Sequence, residues 1–331
     1  MKSFFTYLLI VLTLLTSCSK EFSEQFYAYE NNSINDTAWR NSVTANAPVN
    51  QITNGLIENR TIFTDSFNVN TGAVIVFSDS LKVFFPPNVC VSIAGTTLYG
   101  KIKVELTQLR KKGDFIRYAK PTTSINRLLQ TGGSFNVRLS QNGFPLNLAP
   151  NASYKIVYRN PFPSNDMLFF YEETIASSFQ DTIKTWMPSD NLGTVTNWQQ
   201  YDTATNTVYR GYEITSKKLN WINCDFFNDT TQPATKVNVS LPLNFTNNNT
   251  QVYMVFKSKN IIARLLGEPA NRLFTFPKVP VNSEVYLIAI GKLGNDFYFG
   301  SKSINIVNAN IISTQLEPKP LNFINNYLDN L

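Results

Sequence analysis

From Thr61 onward the pattern of apolar and polar positions is that of strand after strand. Between Leu98 and Leu109, Ile102, Val104 and Leu106 fall on one face and Lys101, Lys103 and Glu105 on the other. A period of two with charge opposite apolar side chains predicts a half-buried antiparallel strand. Ala73 to Phe77 and Leu81 to Phe85 are short β-branched or aromatic runs, and Pro86-Pro87 breaks the second. Phe135 to Leu139 alternates again after Gly132-Gly133. Asn142-Gly143 is a hairpin signal, because both positions of the tight turn need positive φ, and strand-like runs Phe144 to Leu148 and Tyr154 to Tyr158 follow it. Short strands separated by such turn residues predict a β-sandwich.

Residues 159–232 are less regular but still strand-like, at Met167 to Tyr171, Trp198 to Tyr201, Val208 to Ile214 and Trp221 to Phe227. The composition breaks at Asn228 to Lys236, after which runs resume at Val237, Val252, Val285, Phe297 and Ile304. Apolar residues at 321, 324, 328 and 331 predict one short terminal helix. The expected architecture is all-β: two β-sandwich-like domains in tandem after a lipidated tether, with a short C-terminal helix. Its segments are a signal peptide at 1–17, a spacer at 18–48, a first sandwich at 49–232 whose irregular extension is 159–232, a second sandwich at 233–320 and the helix at 321–331.

The N-terminus changes the picture from a soluble domain to an anchored one. Lys2 supplies a positive start, an apolar run extends from Phe4 to Leu15, and Leu15-Thr16-Ser17-Cys18 sets small residues before a cysteine. This is a signal peptide with a lipobox, too short for the roughly 20 residues that span a bilayer. Lipidation, palmitate included, is expected at Cys18, with the lipid membrane as first partner and the bacterial cell envelope, at its outer membrane, as location. Acyl chains on Cys18 would hold the protein at about 0.8 kcal/mol per buried methylene. Residues 19–48 are rich in Asn, Ser, Glu and Thr and read as a spacer.

Composition narrows the chemistry. The chain has no histidine, which excludes Ser-His-Asp and Cys-His catalysis and HExxH metal sites. Carboxylate or Ser-Lys chemistry survives that test. Ser216-Lys217 and Ser301-Lys302 are ordinary turn-like pairs, and Glu172-Glu173 on a strand would point to opposite faces and into solvent. No metal, cofactor or catalytic residue is assigned. The net charge of +6, or +5 without residues 1–17, includes no basic block beyond Arg110-Lys111-Lys112, so nucleic acid is not an expected partner. Cys90 and Cys224 each sit in an apolar run and are expected as separate core thiols. Trp186, Trp198, Tyr201, Tyr209 and Tyr212 gather in the middle region. Core packing is the plain account of most of them, and a carbohydrate or protein contact surface is the sharper one. Asp225, an acid among aromatics, must be hydrogen-bonded or at a strand end. Trp198, Tyr201 and Asp225 are the binding candidates.

The residues Phe85-Pro86-Pro87, Gly100 to Val104, Thr131 to Val137, Asn142-Gly143 and Trp221-Ile222-Asn223-Cys224-Asp225 together resemble exported lipoproteins of the Bacteroidota. The first domain is similar to the β-sandwich shared by ankyrins and netrin receptors. The self-cleavage of some relatives at His-Phe-Ser is not implied, since Ser134-Phe135 has no histidine. Five Asp-Ser/Thr triplets are similar to the O-glycosylation sequon of exported proteins of that phylum and mark Thr37, Ser80, Thr182, Thr203 and Thr230 as candidates. The competing reading is that such pairs open turns. The expected role is a non-enzymatic, membrane-anchored lipoprotein in binding, adhesion or assembly, with a protein or glycan partner at the envelope. The alternatives are a glycan-binding module of an outer-membrane uptake system and a histidine-free hydrolase.

Overall fold

A computed structural model describes residues 36–331 apart from 59, 61, 79, 177–181, 230 and 309–310. Cys18, Thr230, the signal peptide and most of the spacer lie outside the described residues. Thr37–Leu331 forms one compact unit, built almost entirely of antiparallel sheet.

Helix α1 (Pro48–Ile57) opens it. Proline at the first position suits a helix start, because its missing N–H has no partner there anyway. Val49, Ile52 and Leu56, spaced at three and four residues, form the buried stripe. The first half continues with β1 (Phe63–Asn68), β2 (Ala73–Ser78), β3 (Leu81–Phe85), β4 (Cys90–Ser92) and β5 (Lys101–Leu109). After α2 (Lys112–Arg117) come β6 (Thr123–Ser124), β7 (Arg127–Gln141), β8 (Phe144–Leu148) and β9 (Tyr154–Arg159). Then follow β10 (Leu168–Ala176), β11 (Thr182–Pro188), β12 (Gly193–Asp202), β13 (Thr207–Ser216) and β14 (Asn220–Phe227).

These strands make two facing sheets. One runs β1-β5-β7-β14-β10-β11, with β4, β6 and β8 at its margins, and the other runs β12-β13-β9-β3-β2. Ile102, Val104 and Leu106 face Val83, Ile156 and Ile214 in one core cluster, while Lys101 and Lys103 stay outside, as the period of two requires. Asn142 and Gly143 take φ of 52° and 85° in the β7–β8 turn. Residues 159–232 are not an appendage: they supply the strands that complete both sheets.

The second half comprises β15 (Ala234–Ser240), β16 (Thr250–Phe256), β17 (Ile262–Glu268), β18 (Leu273–Pro280), β19 (Glu284–Leu293), β20 (Asp296–Asn305), β21 (Ile311–Ser313) and β22 (Glu317–Pro318). They form one sheet in the order β21-β15-β18-β17-β16-β19-β20-β22. Val237, Phe276, Met254, Leu287 and Ile306 meet in a single cluster, so the sheet curls over itself like a sandwich. Its other face, through Tyr253, Val255, Ile288 and Ile290, is covered by α1, α2 and the terminal α3 (Leu321–Asp329). The middle strands are therefore buried on both sides. Gly113 of α2 sits against α3 so closely that a Cβ there would lie 1.9 Å from the Leu328 carbonyl oxygen.

Residues 37–47, at the end of the expected spacer, lie on the second half. Trp39 packs on Phe274 with ring centroids 5.0 Å apart, and Arg40 and Asn247 exchange two hydrogen bonds at 3.0 and 2.6 Å. Among the described residues no helix is long and apolar enough to cross a membrane. Cys90 and Cys224 are both buried free thiols in the first core, and burial pushes the Cys90 thiol up to about 11.

Candidate functional site

Four segments distant in sequence meet around a cleft of about 440 Å³: α1, the loop 118–126, the β10–β11 hairpin, and β17 with β18. Side-chain hydrogen bonds fix that meeting. Buried Trp186 donates its indole N–H to the Pro121 carbonyl at 2.8 Å. The Thr185 hydroxyl donates to the Thr123 carbonyl at 3.2 Å and accepts from the Ile125 amide at 2.8 Å. On the other side, Thr122 and Ile262 exchange hydrogen bonds of 2.7 and 2.9 Å. Gln251 holds α1 by donating to the Val49 carbonyl and the Thr53 hydroxyl at 2.8 and 3.1 Å.

The loop so clasped carries two residues in the left-handed region, Ala119 at φ 49° and Ile125 at φ 54°. A β-branched residue there is strained by roughly 1–3 kcal/mol and persists only when its surroundings impose it. Here Ala119 ends α2, its amide donating to Ile116 O at 3.0 Å. Ile125 is pinned by Thr185, and its side chain stands 48% exposed at the rim.

The charge in the cleft is one-sided. Lys120, Lys184 and Arg264 line it, and no Asp or Glu does. Buried Lys120 has a carboxylate behind the wall, that of Glu172, and lies over the Trp221 ring at 5.0 Å. Burial pulls the Lys120 ammonium below its usual range; Glu172 works against this, and the like charge of Lys184 adds to it. Exposed Lys184 and half-buried Arg264 have no carboxylate of their own among the described residues. The remaining polar lining is amide and hydroxyl, including Asn50, Thr53, Asn126 and Thr123. The cleft holds no serine, cysteine or carboxylate. That donor set can grip a ligand, and it does not resemble the paired carboxyls of glycoside hydrolysis.

The binding candidates read from the sequence are not brought together. Trp198 lies on edge strand β12, donating its indole N–H to Tyr212 O at 3.1 Å. It lines a shallow groove of about 630 Å³ with Phe162, Asn165, Asn197, Gln199 and Arg210. Phe162 there is 88% exposed. Tyr201, three residues along the strand, projects from the opposite face, and its hydroxyl meets Asn206 Oδ1. Asp225 is fully buried on β14, in the sheet that faces the one whose strand β12 carries both, so it is no surface contact. Its Oδ2 accepts from Asn223 Nδ2 at 2.5 Å and its Oδ1 has no partner. Burial pushes the Asp225 carboxyl up to about 8, against the hydrogen bond from Asn223.

Two of the five gathered aromatics, Trp186 and Tyr212, are core residues. The Glu172-Glu173 pair does point two ways, but Glu172 turns inward to Lys120 instead of into solvent. Thr37 and Thr203 are exposed and Ser80 is half-buried. Asp202 accepts from the Ala204 amide at 2.9 Å and the Thr205 hydroxyl at 2.8 Å, the geometry of a turn opener. Among the described residues no group of acids and thiols is arranged to hold a metal ion. No part of the cleft was legible in the sequence as a motif, because its three cations are spread over residues 120 to 264.

No family model matches the sequence, and no curated protein or solved structure is similar enough to count as a match. The likeness to Bacteroidota lipoproteins therefore rests on the sequence stretches Phe85-Pro86-Pro87, Gly100 to Val104, Thr131 to Val137, Asn142-Gly143 and Trp221 to Asp225 alone.

Proposed function

We propose that this chain is a lipid-anchored binding protein of the bacterial cell envelope that holds its ligand without transforming it. The observation that carries the reading is the cleft: a partly enclosed space of about 440 Å³, within the usual range of small-ligand sites, lined by cations, amides and hydroxyls together with apolar side chains such as Val49, Leu266 and Phe276, and lacking a nucleophile-base pair. The lipobox at Cys18 supplies the anchor, and the polar residues that follow supply the spacer. Location at the outer membrane and the kinship with Bacteroidota lipoproteins belong to the same proposal, as does glycan on the exposed Thr37 and Thr203.

Membrane fractionation of the native host, followed by intact-mass measurement, tests it. Wild-type protein is expected in the membrane fraction, heavier than the chain from Cys18 onward by lipid and by at least one glycan. Cys18→Ser is expected in the soluble fraction with the lipid mass gone. A Cys18→Ser protein that stays membrane-bound would refute the anchor, and a mass explained by lipid alone would leave the Asp-Thr pairs as turns.

A second reading rests on the Trp198 groove. Half-buried Trp198 and exposed Phe162 lie there beside amide side chains, the usual form of a sugar platform, with rings covering C–H faces and amides taking hydroxyls. On this reading the protein is a glycan-binding module, and Trp198→Ala is expected to lower retention on immobilised neutral polysaccharide about tenfold in affinity electrophoresis. Unchanged retention in the variant would remove the groove from consideration.

A further inference from the structure

We infer that the cleft between α1, the 118–126 loop, the β10–β11 hairpin and β17–β18 takes an anionic sugar, its acid group held between Lys184 and Arg264 and its hydroxyls by the surrounding amides and threonines. The inference rests on the binding role proposed above and adds the class of ligand.

Three cations converge on one cleft, and among the described residues the sole carboxylate that neutralises any of them is Glu172, behind Lys120. Lys184 sits close enough to Lys120 to disfavour the charge of the Lys120 ammonium. Like charges held together in a partly enclosed space raise the free energy of the empty site, and an anion between them offsets that rise. Arg264 is half-buried, and a guanidinium kept from water is favourable only when its fork of donors is met. A planar carboxylate meets that fork with two parallel hydrogen bonds.

The rest of the lining says what the anion is attached to. Asn50, Asn54 and Asn126 carry both donors and acceptors, and Thr53, Thr123 and Thr174 carry hydroxyls of the same dual character. A bare inorganic ion would use few of these groups. A fatty acid would lie along the apolar part of the lining, Val43, Val49, Ile183, Leu266 and Phe276, and would leave these amides and hydroxyls without a partner. A ligand dense in hydroxyls and bearing an acid matches both sets, as a hexuronate does. Trp186 and Thr185 tie the hairpin to the loop, so Lys184 is held beside the cleft by the two residues that follow it. Ile125 keeps its positive φ through Thr185 as well, which makes rim and cation one rigid piece.

The test uses the full chain in detergent with three probes: a hexuronate trisaccharide, a sulfated trisaccharide, and the neutral trisaccharide of the same linkage. Isothermal titration is run at low and high salt, with acetate and inorganic sulfate as controls. The hexuronate is expected to bind at least tenfold more tightly than the neutral sugar and to weaken as salt rises. Lys184→Gln and Arg264→Gln are each expected to weaken it about tenfold, and tighter binding of the sulfated probe would assign the anion as a sulfate ester. Lys184 is exposed, so its variant folds even if Arg264→Gln does not, and thermal unfolding of each variant checks this. Equal binding of neutral and anionic sugars, unaffected by Lys184→Gln, would overturn the anionic assignment and leave a binding protein. Acetate or sulfate binding as tightly as the oligosaccharides would overturn the sugar. Absence of binding by any probe would overturn the inference outright, while the anchor stands or falls by the Cys18→Ser fractionation.

Discussion

Arg117→Ala is expected to move the urea midpoint down by the equivalent of about 3–5 kcal/mol, whereas Arg60→Ala, which touches the same acid, is expected to cost under about 1 kcal/mol. Arg117 is fully buried at the end of α2. Its guanidinium meets Asp329 at 2.8 Å, Asp114 at 3.2 Å, and both the backbone and side-chain oxygens of Asn325 at 2.6 and 3.1 Å. Three of these four charge-assisted bonds tie α2 to α3, the fourth, to Asp114, staying within α2, and the tie lies over the face of the second sheet that the helices cover. Truncation removes them together, leaves a hole the size of the side chain, and strands the Asn325 carbonyl. Arg60 reaches Asp329 at 3.2 Å, but both side chains are about a third or more exposed, so water replaces that pair at little cost. Arg117→Lys is expected to recover less than half of the loss, because an ammonium cannot present the planar fork. A midpoint shift equal to that of Arg60→Ala would show that the buried guanidinium holds nothing.

This buried arginine also marks the limit of what the sequence could disclose. Local features were legible: the alternation of Ile102, Val104 and Leu106, the Asn142-Gly143 turn, and the apolar spacing of α3 each follow from interactions between near neighbours. Partnerships were not. Arg110-Lys111-Lys112 stood out only as the densest basic cluster and Arg117 carried no signal, since Asp329 lies 212 residues away. Glu172 read as solvated because Lys120 is 52 residues off. Helix α1 gave no clear signal, as its sequence mixes Asn, Thr and Gly with β-branched residues of poor helix propensity; burial of Val49, Ile52 and Leu56 against the second sheet overrides that preference. The strands at 159–232 were visible as strands, yet period two says nothing about neighbours, and their places in both sheets of the first half depend on contacts such as β13 with β9. The cleft is the extreme case. Each of its cations is an unremarkable residue, and only the fold makes them a set.

Asp225→Asn is expected to be more stable relative to the wild type at pH 8 than at pH 4, by ~2–5 kcal/mol. The carboxyl is fully buried, with its pKa raised to about 8 chiefly by loss of solvent, against a usual value near 4 in the unfolded chain. Below about pH 4 both states carry the proton and the site costs nothing. As pH climbs from there toward 8 the unfolded chain gives up its proton while the folded protein keeps it, so the unfolded state gains and stability falls steadily. Above about 8 the folded form ionises too and the loss levels off. A raised carboxyl is thus a liability at high pH, the reverse of a salt-bridged acid. The asparagine side chain has the shape of the protonated acid. It can still accept from Asn223 at the oxygen, and the amide nitrogen that takes the place of the partnerless Oδ1 adds an unpaired donor whose cost is the same at every pH. The variant therefore removes the titration and, beyond that constant, changes little else. Unfolding midpoints measured between pH 4 and 9 for both proteins decide the matter: curves that diverge with rising pH fit a buried neutral acid, and parallel curves would mean that Asp225 finds a cation or solvent that the fold does not show.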